Sequence, residues 1–225
     1  MNDTQLLSAR LKQLESAVVA DVMTSMGLEA QIPAYNIRPL TTEWKIAGPA
    51  ICARGSDKTS VEGVSTYGLD DSIYAGGIVV IDTDNCMRGA VIGDNMTTSM
   101  VMRGAAGFIV DGGIRDYQEF INDDVPVFCR YTSPINAHKY WHFTEFEKPI
   151  RLRGIWNDVI VNPGDLIIGD ADGIAVIPRQ HAEQIIGYSE IHLQTENNIK
   201  KALVKGEIRE NVTGNAKRLQ HVKPL

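Results

Sequence analysis

Apolar positions near the start of the chain recur every three or four residues: Leu7, Leu11, Leu14, Val18, Val22 and Met26 would share one face, and Gly27 follows as a stop. This spacing predicts a helix over residues 4–26. Pro33 and Pro39 then mark an extended entry segment. From Ile46 to Ile177 the pattern changes to short apolar runs bounded by glycine and aspartate, as strands are. The runs are 50–53, 77–81, 90–93, 108–110, 125–129, 159–161, 166–168 and 174–177. Helical candidates lie at 60–67 and 95–106, and a long one at 181–204 carries Ile185, Ile186, Ile191, Leu193, Ile199 and Leu203 before Gly206. Residues 90–110 read as strand, helix, strand, a unit that implies parallel pairing. Asn162-Pro163-Gly164-Asp165 and Asp170-Ala171-Asp172-Gly173 are turns, so 159–178 is expected to be a strand meander.

Length and composition narrow the class. The chain has 225 residues, 44% hydrophobic and 22% charged, enough to bury a core as one domain and outside the range of intrinsic disorder. No apolar run approaches the roughly 18 residues of a membrane span. The polar start, Met1-Asn2-Asp3-Thr4, has neither a basic nor an apolar leader segment, so a cytoplasmic protein is expected. Cys52, Cys86 and Cys129 are widely spaced and form no C-x-x-C pair, which predicts buried free thiols rather than disulfides or a zinc ribbon. Residues 200–225 hold seven basic and two acidic side chains, a local +5 that leaves −11 for the remainder of a chain whose total is −6. An acidic body argues against a nucleic-acid groove, and Trp44, Trp141 and Trp156 are expected in a core or interface rather than under stacked bases.

The chemistry concentrates between Gly93 and Asp116. Gly93-Asp94-Asn95-Met96 joins a strand to a helix start, where free N–H groups and the positive dipole end attract an anion. Asp94 alone reads as a helix cap. The next strand leads into Asp111-Gly112-Gly113-Ile114-Arg115-Asp116, and if the two strands are parallel neighbours their ends share one crevice. Arg115-Asp116 in isolation is a surface turn. Together, a guanidinium, a hard carboxylate and a helix N-terminus suit a divalent cation and a small carboxylate substrate. With so few protein ligands, a water-rich Mg²⁺ or Mn²⁺ is favoured over caged Ca²⁺.

The spacing Asp94-x20-Arg115-Asp116 resembles the signature of metal-dependent pyruvate aldolases that cleave 4-hydroxy-4-methyl-2-oxoglutarate and 4-carboxy-4-hydroxy-2-oxoadipate, a fold family that also holds the regulator of ribonuclease E activity. Matching segments include Ala20-Asp21, Arg103-Gly104-Ala105-Ala106-Gly107, Pro126-Val127-Phe128, 161–165 and 172–178. The resemblance covers residues 15–205, with a basic tail over 206–225. It implies an α/β/β/α sandwich of the swivelling-domain kind, with mixed sheets and flanking terminal helices, assembled as a homotrimer or homohexamer. It also implies that Asp116 ligates Mg²⁺ or Mn²⁺ and that Arg115 holds the oxygens of a small 2-oxo acid. Gly93, Asp94, Asn95 and Met96 would surround the substrate carboxylate, Asp94 would hold a basic water, and Glu196 would reach a neighbouring subunit's site. Oxaloacetate decarboxylation would be a side activity. A non-catalytic regulator of a ribonuclease, or a decarboxylase or hydratase of another small oxo acid, would share the fold.

Two positions depart from that family's pattern: Asp94-Asn95 stands where many relatives have glutamate, and Met96 replaces a small residue. The segment 131–147 is also unusually aromatic. Elsewhere, His138 and His142 are spaced as a zinc pair but lack a third ligand, and Asp170-Ala171-Asp172-Gly173 reads as a hairpin turn rather than a calcium loop. Neither a dinucleotide-binding nor a serine-hydrolase motif is present.

Overall fold

The computed structural model describes residues 3–28, 31–155, 157–214 and 216–225. Trp156 lies outside them. The elements run α1 (Asp3–Leu11), α2 (Ser16–Ser25), β1 (Arg38–Pro39), β2 (Ile46–Ser56), α3 (Tyr67–Asp71), β3 (Ile78–Asp82), β4 (Ala90–Ile92), α4 (Asp94–Met102), β5 (Gly107–Ile114), α5 (Tyr117–Asn122), β6 (Val127–Thr132), β7 (His142–Phe146), β8 (Ile150–Leu152), β9 (Val159–Val161), β10 (Leu166–Asp170), β11 (Gly173–Ile177), α6 (Ala182–Val204) and α7 (Arg209–Gly214).

Strands β2, β3, β5 and β6 are parallel neighbours, and β4 pairs parallel to β5. The sheet continues antiparallel from β2 through β10 to β11, while β8 and β9 form a separate hairpin. Side-chain alternation assigns the layers. Ile51, Val79, Ile81, Phe108 and Val110 point toward Leu69, Met100 and Phe120 of α3, α4 and α5. Their alternates Cys52, Ile78, Val80 and Ile109 face Ile150, Leu152, Val159 and Val161 of the β8–β9 hairpin together with Ile167, Ile174 and Val176. On the far side of β10–β11, Leu166, Ile168, Ala175 and Ile177 meet Val19, Val22, Met23, Ile185 and Ile186 of α2 and α6. The result is helices, two β layers and helices, the α/β/β/α arrangement expected. Because the central strands are covered on both faces, they read as continuous apolar runs.

Several local expectations are corrected. The N-terminal helix is two helices, because the Asp170 carboxylate accepts hydrogen bonds from Ser16 N (2.7 Å) and Ser16 Oγ (2.6 Å), capping a new start at α2. Residues 60–66 are not helical: two of their backbone groups are held by the strand β7, with Val64 N donating to Phe143 O (2.8 Å) and His142 Nε2 donating to Val61 O (2.9 Å). That bond also removes His142 from a zinc pair with His138, and His138 itself lies in a short 3₁₀ turn at Ala137–Lys139. The meander is divided: β9 pairs back with β8, and β10 and β11 form their own hairpin, closed by the Asp170–Gly173 turn. Strands β7 and β8 and the short helices α5 and α7 were not expected. The three cysteines are buried and free, and Trp44 and Trp141 are buried. Among the described residues no helix is long and apolar enough to cross a membrane.

Beyond the apolar part of the middle layer the same strand face carries charge. Arg54 and Asp82 are paired (Nε to Oδ2, 3.4 Å), Arg130 pairs with Asp111, and these carboxylates accept the β8-side N–H groups of Arg151 (3.4 Å) and Arg153 (3.3 Å). Burial pushes both carboxyls above the ordinary carboxylate range, and the guanidiniums oppose it. The Arg130 side chain is only 6% exposed, so Asp111→Ala leaves a buried cation without its partner. The expected loss is about 3–5 kcal/mol, read as a lower urea midpoint at unchanged slope. A loss of about 1 kcal/mol or less would place the pair with solvent-exposed ones.

Candidate active site

The site grows from two strand ends. β4 and β5 run parallel, with Ala90 opposite Gly113 and Ile92 opposite Ile114, so the residues that follow each strand emerge side by side. After β4 the chain passes through Gly93, the N-cap, into α4, whose first residue is Asp94. After β5 it passes through Arg115, whose N–H donates to Ile92 O (3.2 Å), to Asp116, the N-cap of α5.

Asp116 ties the two together. Its Oδ2 accepts the Asp94 N–H at 3.0 Å, so the N-terminus of α4 is capped by a carboxylate from the neighbouring strand. Gly93 supplies no side-chain cap, and Asp94 is the first helical residue rather than the cap. The Asp94 carboxylate instead accepts from Thr98 Oγ1 (3.1 Å). Asp116 has φ +65°, the left-handed region, sparsely populated outside glycine, and strain of this kind is concentrated at functional sites. Arg115 Nε lies 3.4 Å from Asp116 Oδ2, and the two side chains are 37% and 36% exposed, open to a ligand yet braced from behind.

Space is tight where these groups converge. A Cβ on Gly93 would lie 2.5 Å from Asp116 Oδ2 and 2.9 Å from Arg115 Cγ. On Gly113 it would meet the Tyr131 ring at 2.4 Å and Gly89 O at 2.7 Å.

The crevice beside Arg115 and Asp116 encloses about 370 Å³ and is completed by Tyr117, Thr132, Ser133 and Pro134. None of these four was singled out from the sequence. Thr132 ends β6 and Ser133 and Pro134 follow it; β6 is also a parallel neighbour of β5, so the strand-end logic that found Asp94 applies to them as well. On the other flank of α4, Asn95 and Met96 line a second pocket of about 290 Å³ with Thr66, Tyr67, Leu69, Asp70, Ser99 and Met100.

Arg115 and Asp116 line this crevice, Gly93 and Asp94 adjoin them through the bond from Asp94 N–H to Asp116 Oδ2, and Asn95 and Met96 line the second pocket. Glu196 is elsewhere within the chain. It sits on α6, in the opposite helical layer, with Oε1 2.5 Å from Arg218 Nε and 4.0 Å from His192 Nδ1. The larger cavity of about 560 Å³ between α1, β2 and Arg179 adjoins the start of β3, remote from the ends of β4 and β5.

The donor set can be weighed against a divalent ion. Among the described residues no group of three or more His, Cys, Asp or Glu side chains converges, so no all-protein cage is built. A half-exposed Asp116 carboxylate in a roomy, hydroxyl-bearing crevice does fit an ion that keeps most of its water, as Mg²⁺ and Mn²⁺ do.

Comparison with known proteins agrees with this architecture. A Halalkalibacterium halodurans protein named "Putative 4-hydroxy-4-methyl-2-oxoglutarate aldolase" is 34% identical over 150 residues, covering 67% of this chain and 68% of that protein. Protein DlpA of Legionella pneumophila is 26% identical over 204 residues, and the match covers 89% of this chain but only 32% of DlpA. The crystal structure of Streptomyces coelicolor RraAS2, described as an unusual member of the RNase ES inhibitor RraA protein family, superposes with a TM-score of 0.80 at 23% identity, covering 87% of this chain and 97% of that one; at this identity it shares the fold. The RraA-like family pattern, Aldolase/RraA, matches residues 16–176, and the chain belongs to that family.

Proposed function

We propose that the protein is a divalent-metal-dependent lyase that cleaves a 4-hydroxy-2-oxo acid to release pyruvate, with oxaloacetate decarboxylation as a side activity. The observation that carries this reading is the convergence, at two parallel strand ends, of the α4 N-terminus, the Arg115 guanidinium and the Asp116 carboxylate. Breaking the C3–C4 bond leaves its electron pair on C3 as the enolate of pyruvate, while the 4-hydroxyl loses its proton and becomes a carbonyl. The reaction therefore calls for a cation at the 2-oxo and carboxylate oxygens and a base near C4.

Arg115 is placed to hold the pyruvyl oxygens through its planar fork and to stabilise the charge that develops there. The N-terminus of α4, whose first N–H is held by Asp116, would favour an anion placed beside it. Asp116 would hold Mg²⁺ or Mn²⁺, and when bound the ion supplies a Lewis acid for the developing negative charge. Asp94, whose carboxylate stands at the first turn of α4, would hold the water that takes the 4-hydroxyl proton. Thr132 and Ser133 add hydroxyl groups that can orient a carboxylate.

Glu196 enters this reading only from another subunit. In a trimer or a pair of trimers, α6 would carry it to a neighbour's crevice, and its present bond to Arg218 would then be exchanged. The 23-residue length of α6 and its exposed Ile191 and Val204 support such packing.

The direct test is pyruvate release from 4-hydroxy-4-methyl-2-oxoglutarate and from oxaloacetate with Mg²⁺, with Mn²⁺ and after EDTA. Metal-dependent, EDTA-sensitive turnover is expected. No turnover under any of these conditions would favour a protein-binding regulator on the same fold. Asp116→Ala should abolish the metal-dependent rate, and Arg115→Lys should lower kcat/KM by about 10²-fold or more, since lysine cannot reproduce a bidentate contact. Unchanged release by both variants would remove this crevice from the reaction. Gly93→Ala drives a methyl group against the Asp116 carboxylate and should reduce kcat/KM by about 10²-fold while circular dichroism shows a folded protein; full activity would contradict the tight geometry.

A further inference from the structure

The pocket on the flank of α4 differs in chemistry from the crevice at Arg115. Its inner wall is apolar: Leu69 and Met100 are each 1% exposed, and Met96 packs against the same core. At its mouth stands Tyr67, 77% exposed, and Thr66, Asn95 and Ser99 are neutral. The charged group in the lining is the carboxylate of Asp70, with Arg103 Nε 3.9 Å away from it on a half-exposed side chain. The pocket begins at Asn95 and Met96, immediately after Asp94, whose N–H is bound to Asp116. A substrate with its 2-oxo acid end at Arg115 and Asp116 would reach this pocket with its C4 substituent by passing Asp94 along the first turn of α4.

Resting on the lyase reading, we infer that the C4 substituent is an uncharged alkyl or aryl group rather than a second carboxylate. A carboxylate there would lose water against Met96, Met100 and Leu69 and face Asp70, with no unpaired cation in the lining to compensate. An alkyl chain or ring gains from the same walls, and the thioethers of Met96 and Met100 adapt to either shape. Met96, bulkier than the small residue of the family pattern, and Asp70 are the specificity-determining side chains. Cleavage then yields pyruvate and an apolar aldehyde or ketone: the C3–C4 bond breaks, C4 becomes the carbonyl carbon, the hydroxyl proton passes to the base, and C3 takes a proton from water.

The experiment compares pyruvate release from 4-hydroxy-2-oxohexanoate and 4-hydroxy-4-phenyl-2-oxobutanoate with release from 4-hydroxy-4-methyl-2-oxoglutarate, in the presence of Mg²⁺. Exchange of the pyruvate methyl protons into D₂O is followed in parallel, because it needs only the pyruvyl half of the site. The expected result is exchange, together with a kcat/KM for at least one of the two uncharged substrates about tenfold or more above that for the carboxylated one. Asp70→Asn should narrow that ratio, and Met96→Arg should shift it toward the carboxylated substrate. Exchange accompanied by equal or better use of the carboxylated compound, or by no release from either uncharged compound, overturns the inference and leaves the lyase reading standing. Absence of both exchange and release overturns the lyase reading, and the inference with it.

Discussion

A hydrogen bond between two strand ends organises the site. The Asp94 N–H to Asp116 Oδ2 contact, 3.0 Å long, joins the start of α4 to the residue that follows β5 and Arg115. It satisfies an orphan helix N–H with a carboxylate, the favoured partner at a positive dipole end. It also fixes where the carboxylate and the adjacent guanidinium can stand. Gly93 leaves room for it, since a Cβ there would lie 2.5 Å from the Asp116 oxygen and displace it. The left-handed backbone of Asp116 is a consequence, because the chain must turn sharply from β5 into α5 while aiming its carboxylate back at α4.

That bond depends on the parallel pairing of β4 with β5, which in turn depends on burial of both sheet faces. Alternate residues of β2, β3 and β5 serve the α3–α5 layer and the middle layer, and β10–β11 repeat the pattern toward α2 and α6. Residues of one sheet cannot slip in register by one position without exchanging these two cores. Where the middle layer turns from apolar to charged, the Arg54–Asp82 and Arg130–Asp111 pairs hold the β8 backbone, and Asp111 stands four residues before Arg115 on the same chain segment. The crevice is thus mounted on strands held on both sides rather than on free loops, as a preorganised site requires.

Much of this was legible in the chain. The runs 77–81, 90–93 and 108–110 are strands because buried parallel strands are uninterrupted apolar runs, and the distance from Asp94 to Arg115 is one helix and one strand long. What could not be read depends on contacts between distant residues. The break between α1 and α2 is set by Asp170, far along the sequence from Ser16, and the apolar spacing runs through it undisturbed because Leu14 remains buried. Residues 60–66 read as a helical candidate, but Val61 and Val64 are held by His142 and Phe143 of β7. Thr132, Ser133 and Tyr67 carry no motif, and only the neighbouring strand or helix brings them to the site. Glu196 was chosen by resemblance, and within the chain its visible partner is Arg218.

The central claim is that Arg115 and Asp116 form one site for the enolate of pyruvate. Titration calorimetry with oxalate, a planar dianion with the oxygen arrangement of that enolate, addresses it without any substrate being cleaved. The account predicts saturable, Mg²⁺-dependent binding that weakens by about tenfold or more in Arg115→Lys and is lost in Asp116→Ala. Binding of equal strength in the wild type and both variants would contradict it.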